Sequence, residues 1–266
     1  MNKKYFFLFF VTFSLYAQID SAALRLHLTF GNPSNATAAI ASPTNYLMVK
    51  KQFAMSYHRF HGIANWVAWH LDSMWLGDVR RSNDFRADST LPEPWYRVHH
   101  NSYRRSGYDR GHMCPSGDRT NMQRDNSMTF LMTNMVPQAP NNNQGPWAAL
   151  EIYCRDLVKQ GKELYIYSGG YGSKGFLDSG RVNIPERTWK VIIVLDAGEN
   201  DLKRIADSTR TIAVDMPNDN ALIGKYDDWK LYRVSIDEVE QKTGFDFLSV
   251  LSDSLQTIIE RRIDGL

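Results

Sequence analysis

The sequence predicts an α+β fold. Strand-like segments are spread along the whole chain, two helices carry clear start and stop signals, and the regular strand–helix–strand rhythm of a doubly wound sheet is missing. YLMVKKQFAMSY (46–57) and ANWVAWHL (64–71) are rich in aromatic and β-branched residues with partial alternation. LYIYSGG (164–170), WKVIIVLD (189–196) and TRTIAVDMP (209–217) read the same way, each closed by Gly, Asp or Pro. The first helix is expected over 146–161, with Pro146 in the first turn, where a missing N–H costs nothing, and Gly161 as its stop. Trp147, Leu150, Cys154, Leu157 and Val158 would form its buried stripe, placing Glu151 and Arg155 along one border. The second opens at Ser235, with Glu238 completing a capping box, and stops at Gly244.

Composition is that of a globular protein: 266 residues, 43% hydrophobic and 23% charged. Lys3 and Lys4 precede an apolar run from Tyr5 to Tyr16 and then small residues. This pattern predicts a cleaved export leader over residues 1–23, cut between 17 and 23, because the run is too short to span a bilayer as a helix. The destination would be the periplasm or the medium, with no membrane association after cleavage. Residues 24–44, rich in Ser, Thr, Asn, Ala and Pro, read as a loosely held lead-in to a single domain over 45–266. Two cysteines, Cys114 and Cys154, allow at most one internal disulfide and leave open whether they pair.

The formal charge of +2 does not announce a polyanionic partner, but its distribution is informative. Between Lys51 and Lys159 every fixed positive charge is an arginine, Arg81, Arg110 and Arg155 among them. The planar guanidinium fork binds phosphate oxygens in pairs, so arginine-only usage points toward phosphate recognition.

Within that region lies YDRGHMCP (108–115). Histidine accepts a proton near neutral pH, which suits His112 to activating water. His99 and His100 have no comparable surroundings in the sequence and read as ordinary histidines. TNMVPQAPNNNQGPW (133–147) ends at the first helix, and Asn141, Asn142 and Asn143 serve there either as turn formers and a cap or as oxygen donors. One asparagine oxygen with a carboxylate at Glu151 is a donor set suited to a hydrated magnesium ion.

GYDRGH, PSGDRT and TFLMTNMVPQ, followed by Asn143 and then Glu151 on a helix, form an ordered set that resembles the DNA/RNA non-specific endonucleases of the ββα-metal (His-Me finger) fold. The resemblance covers nearly the whole chain after the leader. It implies a central, mostly antiparallel sheet flanked by helices, and a magnesium cofactor for which manganese substitutes. Single- and double-stranded DNA and RNA would be the substrates, and a dedicated protein inhibitor a partner. It further implies that His112 is the general base and Asn143 the one direct metal ligand. Glu151 would act on the metal through water, Arg81, Arg110 and Arg155 would face phosphate, and Asp109 and Asn134 would support the site. Cys114 departs from the small non-thiol residue usual in relatives. Two other readings compete: hydrolysis of a different phosphodiester, and a non-catalytic binding module on the same fold. A binder has no need of the His112, Asn143 and Glu151 trio.

Overall fold

A computed structural model describes residues 20–265, so the expected leader falls mostly on residues 1–19, outside the described residues. The strands among the described residues are β1 (Tyr46–Val49), β2 (Ala54–His58), β3 (Ile63–Leu71), β4 (Asp109–His112), β5 (Met135–Gln138), β6 (Lys162–Tyr171), β7 (Phe176–Leu177), β8 (Val182–Asn183), β9 (Arg187–Asp196), β10 (Arg210–Pro217) and β11 (Arg233–Val234). The α-helices are α1 (Ser21–His27), α2 (Gln123–Met128), α3 (Pro140–Gln144), α4 (Pro146–Lys159), α5 (Asp201–Arg204), α6 (Ile236–Thr243) and α7 (Asp253–Glu260).

Seven strands form one antiparallel sheet in the order β1-β2-β3-β6-β9-β10-β11, with β6 and β9 paired along their whole length from Lys162↔Asp196 to Tyr171↔Arg187. The central strands are apolar on both faces because both faces are covered. On β3, Val67, Trp69 and Leu71 join one hydrophobic layer while Trp66 and Ala68 join the other. α4 lies on the first layer with Trp147, Leu150, Cys154, Leu157 and Val158 buried, and α6 and α7 cover the second through Ile236, Val239 and Ile259. Trp66, Trp69, Trp147 and Trp189 are fully buried, each contributing roughly 3 kcal/mol of apolar burial.

Both expected helices form with the expected punctuation. α4 ends before Gly161 in the left-handed region (φ +88), and at α6 the Glu238 amide donates to Ser235 Oγ at 3.1 Å. Two expectations are corrected. Segment 46–57 is two strands, because Lys50 N donates to Phe53 O at 2.9 Å and turns the chain, setting Val49 opposite Ala54. Residues 24–44 are not loosely held. Phe30 is fully buried, Asn32 clasps the backbone of Ala36 in both directions at 2.9 Å, and Ser34 Oγ accepts from Trp66 Nε1 at 2.8 Å. The polar residues that suggest a linker by composition here close local turns and anchor to the sheet, so the packed body starts by α1.

Beside the large sheet, β4 and β5 form a separate antiparallel pair, followed directly by α3 and α4. This strand–strand–helix unit carries the candidate chemistry.

Candidate active site

β4 pairs with β5 from Asp109↔Gln138 to His112↔Met135. Gly111 is obligatory in this pairing, since a Cβ there would lie 2.1 Å from Gln138 Oε1 and 2.6 Å from its Cβ. The turn leaving His112 is held by Asn134, fully buried on the run into β5. Asn134 O and Oδ1 accept from the amides of Met113 and Cys114 at 3.0 Å each, and its Nδ2 donates to Cys114 O and Thr129 O at 2.8 Å. Asn134 therefore braces the strand end and does not face the cleft. Cys114 and Cys154 are both buried and unpaired thiols.

His112 is 7% exposed and sits edge-to-face against Phe130 (4.8 Å between centroids) and Phe85 (5.7 Å). Each phenyl ring carries an arginine on its face: Arg110 Cζ is 4.0 Å from the Phe85 centroid and Arg81 Cζ 4.8 Å from that of Phe130. Burial, then Arg81 and Arg110, push the imidazole down to about 3, so it is neutral at ordinary pH. Its Nε2 is sealed from solvent with no hydrogen-bond partner. A neutral imidazole carries a single ring proton, so one nitrogen keeps its lone pair as a basic position.

The three asparagines of α3 have separate tasks. Asn141 Nδ2 donates to Asn220 O (3.3 Å) and Ile223 O (3.1 Å), tying the helix to a surface loop. Asn142 is fully buried, its Nδ2 donating to Thr188 Oγ1 (2.9 Å) and Pro217 O (3.0 Å). Asn143 alone turns toward β4, where its Nδ2 donates to Asp109 Oδ2 at 2.8 Å. A carboxylate accepts and cannot donate, so this bond fixes which end of the amide faces it and leaves Oδ1 without a partner among the described residues. A rigid, unpartnered amide oxygen is what a hard cation requires, and the site fits magnesium on that count.

Glu151, on the second turn of α4, has a side chain 14% exposed and lies 3.8 Å from Lys190 Nζ. Lys190 is an almost fully buried ammonium set against the rings of Trp147 (4.2 Å) and Trp69 (5.7 Å). Burial raises the Glu151 carboxyl to about 7; Lys190, Arg155 and Arg81 oppose the rise and Asp118 adds to it. Arg155 is pinned by buried Asp118 at 2.9 Å, and Asp118 also accepts from Trp69 Nε1 at 3.0 Å. Gly117 makes room for that arginine, as a Cβ would stand 2.9 Å from its Cζ. Arg81 is steadied by Ser116 Oγ (2.6 Å) and Asn83 Oδ1 (2.9 Å).

His112, Arg81, Arg110, Glu151 and Arg155 are thus linked electrostatically, and Asp109 and Asn143 are bonded at the same hairpin. Phe85, Phe130, Asp118 and Lys190 join them without having been singled out in the sequence. Phe130 lies inside TFLMTNMVPQ and Asp118 inside PSGDRT, so the motifs contained that signal, whereas Lys190 lies on β9, 39 residues beyond Glu151, with nothing local to mark it.

A buried neutral histidine, a carboxylate, an oriented amide oxygen, and Arg110 and Arg155 on a strand–strand–helix unit with Arg81 beside it define the class: a nuclease of the ββα-metal fold. Comparison with known proteins gives the family. The family model for DNA/RNA non-specific endonucleases matches residues 31–254, and the chain belongs to that family of nucleic-acid-hydrolysing enzymes. It is 52% identical over 245 residues to a nuclease of Nostoc sp. (strain PCC 7120), covering 92% of this chain and 88% of that one. It is 29% identical over 248 residues to the human mitochondrial nuclease EXOG, covering 86% of this chain and 62% of EXOG. A solved structure of the EndoG/EndoGI complex superimposes with a TM-score of 0.73 at 25% identity, over 86% of this chain and 93% of that one. No helix among the described residues is long and apolar enough to cross a membrane.

Proposed function

We propose that this chain is an exported, magnesium-dependent endonuclease that hydrolyses DNA and RNA, single- and double-stranded, without sequence specificity, leaving 5′-phosphate and 3′-hydroxyl ends. Manganese substitutes for magnesium. The observation that carries the reading is the Asp109–Asn143 bond, which presents a bare amide oxygen on the same hairpin unit as a neutral buried histidine. Asn143 Oδ1 would hold the ion directly and Glu151 through water. When bound, magnesium supplies positive charge and Lewis acidity at the phosphodiester oxygens.

The remaining work falls to the chain. His112 takes a proton from the attacking water, in line with departure of the 3′ oxygen. Arg81, Arg110 and Arg155 neutralise charge that builds on the phosphoryl oxygens, fixed beforehand by Phe130, Phe85 and Asp118. Because the nucleophile is water and not the ribose 2′-hydroxyl, both sugars are substrates. Contacts to phosphate position a strand without reading bases. A polar cleft of about 380 Å³ continues from Asp109 and Arg110 past His100, Tyr103, Arg104 and Tyr108, offering the polynucleotide a path with further positive charge. A dedicated inhibitor protein would close this arginine-lined cleft; the EndoG neighbour is itself seen with EndoGI.

The test is incubation of covalently closed circular DNA and of single-stranded RNA with purified protein, in magnesium or in chelator. Expected are linear and then short products from both substrates in magnesium only, with 5′ ends that accept label only after phosphatase treatment. Cleavage undiminished by chelator, or confined to RNA, overturns the reading.

A further inference from the structure

A cluster of carboxylates lies on the far side of the sheet. α6 and α7 cover the hydrophobic layer opposite the one beneath α4, and between them Asp237, Glu240 and Glu260 bring carboxylate oxygens within 4.8 Å of one another. Glu260 is 5% exposed, and its Oε1 is buried with no hydrogen-bond partner. Phe247 N donates to Glu240 Oε1 at 2.7 Å, which fixes that carboxylate from behind. The charges acting on Glu240 and Glu260 are all acidic: Asp237 and Asp246 on both, and Glu240 on Glu260. No positive charge is among those acting on either carboxylate. An unpaired buried carboxylate is costly, and a cluster of them calls for a counter-charge from outside the chain.

We infer that this cluster binds one calcium ion, which ties α7 to α6. Calcium accepts several carboxylate oxygens in flexible geometry, whereas magnesium demands a near-ideal octahedron and keeps several waters, so three carboxylates gathered within 4.8 Å suit calcium. Asp237, Glu240 and Glu260 are the ligands, and Asp246 deepens the negative field.

The test separates this site from the nuclease centre by using Asn143→Ala protein, stripped with chelator, and by reading binding and melting instead of cleavage. Titration with calcium chloride at pH 8 is expected to give one site, with a dissociation constant on the order of 10⁻⁴ to 10⁻³ M. The melting temperature should rise by about 3 °C or more in millimolar calcium. Adding Glu260→Gln, or independently Asp237→Asn should the first variant fail to fold, is expected to weaken binding at least about tenfold and remove the rise. Binding unchanged by either substitution, equal affinity for magnesium, or no calcium effect at pH 8 overturns the inference.

Discussion

Asp109 and Asn143 are joined by a 2.8 Å hydrogen bond from amide nitrogen to carboxylate, and Gln144 Nε2 reaches the same oxygen at 2.8 Å. The carboxylate thereby selects the amide orientation that leaves Asn143 Oδ1 outward. Asp109→Asn replaces a pure acceptor with a group that also donates, so the Asn143 amide is free to turn. Loss of such an orienting partner typically weakens metal affinity about 10- to 100-fold. The expected outcome is a magnesium requirement raised by that factor, with turnover at saturating magnesium within a few-fold of wild type. Magnesium titration of cleavage rates checks it, and an unshifted titration assigns the ligand elsewhere. Asn143→Ala should not recover at any practical magnesium concentration.

His112→Ala should lower turnover by at least about a hundredfold while leaving fold and metal affinity intact, as for loss of a general base. The pH dependence carries a second signature. The folded-state value of about 3 lies below the unfolded value of about 6.5, so acidification protonates the unfolded chain first. Stability associated with His112 is therefore full above about pH 6.5 and declines as pH falls toward 3. Denaturant melts of wild type and His112→Ala should converge on the acid side relative to pH 8, and parallel pH profiles would contradict the buried neutral imidazole.

Legibility in the sequence followed the range of the interactions. The caps of α4 and α6 rest on residues within four positions of one another, and Pro146, Gly161, Ser235 and Gly244 marked them directly. Asn143 was readable as one of three asparagines, but the choice among them is made by Asp109, Thr188 and Asn220, which are 34, 46 and 79 positions from their partners and have no local trace. The same holds for Lys190 beside Glu151. Residues 24–44 misled for the opposite reason. Their composition is that of a linker, and only Trp66 and the buried Phe30 show that the segment docks.

Asn134→Ala should report on architecture before chemistry. It removes the side-chain acceptor of the Cys114 amide and a donor to two carbonyls, all buried. Leaving such groups unsatisfied costs about 1 to 3 kcal/mol each, so a total loss of about 3 kcal/mol or more is expected in urea unfolding. Activity should fall with it, because the turn that carries His112 loses its brace. Substantially lower stability with unchanged kinetics at low temperature would show that the brace does not set the imidazole position.

Phe85 and Arg110 offer a sharper test of how the arginines are preorganised. The guanidinium carbon lies 4.0 Å from the ring centroid, and the same ring meets His112 at 5.7 Å, so one phenyl group contacts both the cation proposed to face phosphate and the imidazole proposed as the base. Arg110→Lys keeps the charge but loses the planar stack and the paired donors, and Phe85→Leu keeps an apolar wall but loses the π face. Each alone is expected to lower kcat/KM about tenfold. If the ring acts mainly by holding the guanidinium, little remains for it to do once lysine is present, and the double variant should be only slightly worse than either single one. A coupling of about 1 kcal/mol in that cycle is the expected result. Strict additivity would mean that Phe85 serves His112 alone, and that Arg110 finds its phosphate without the ring.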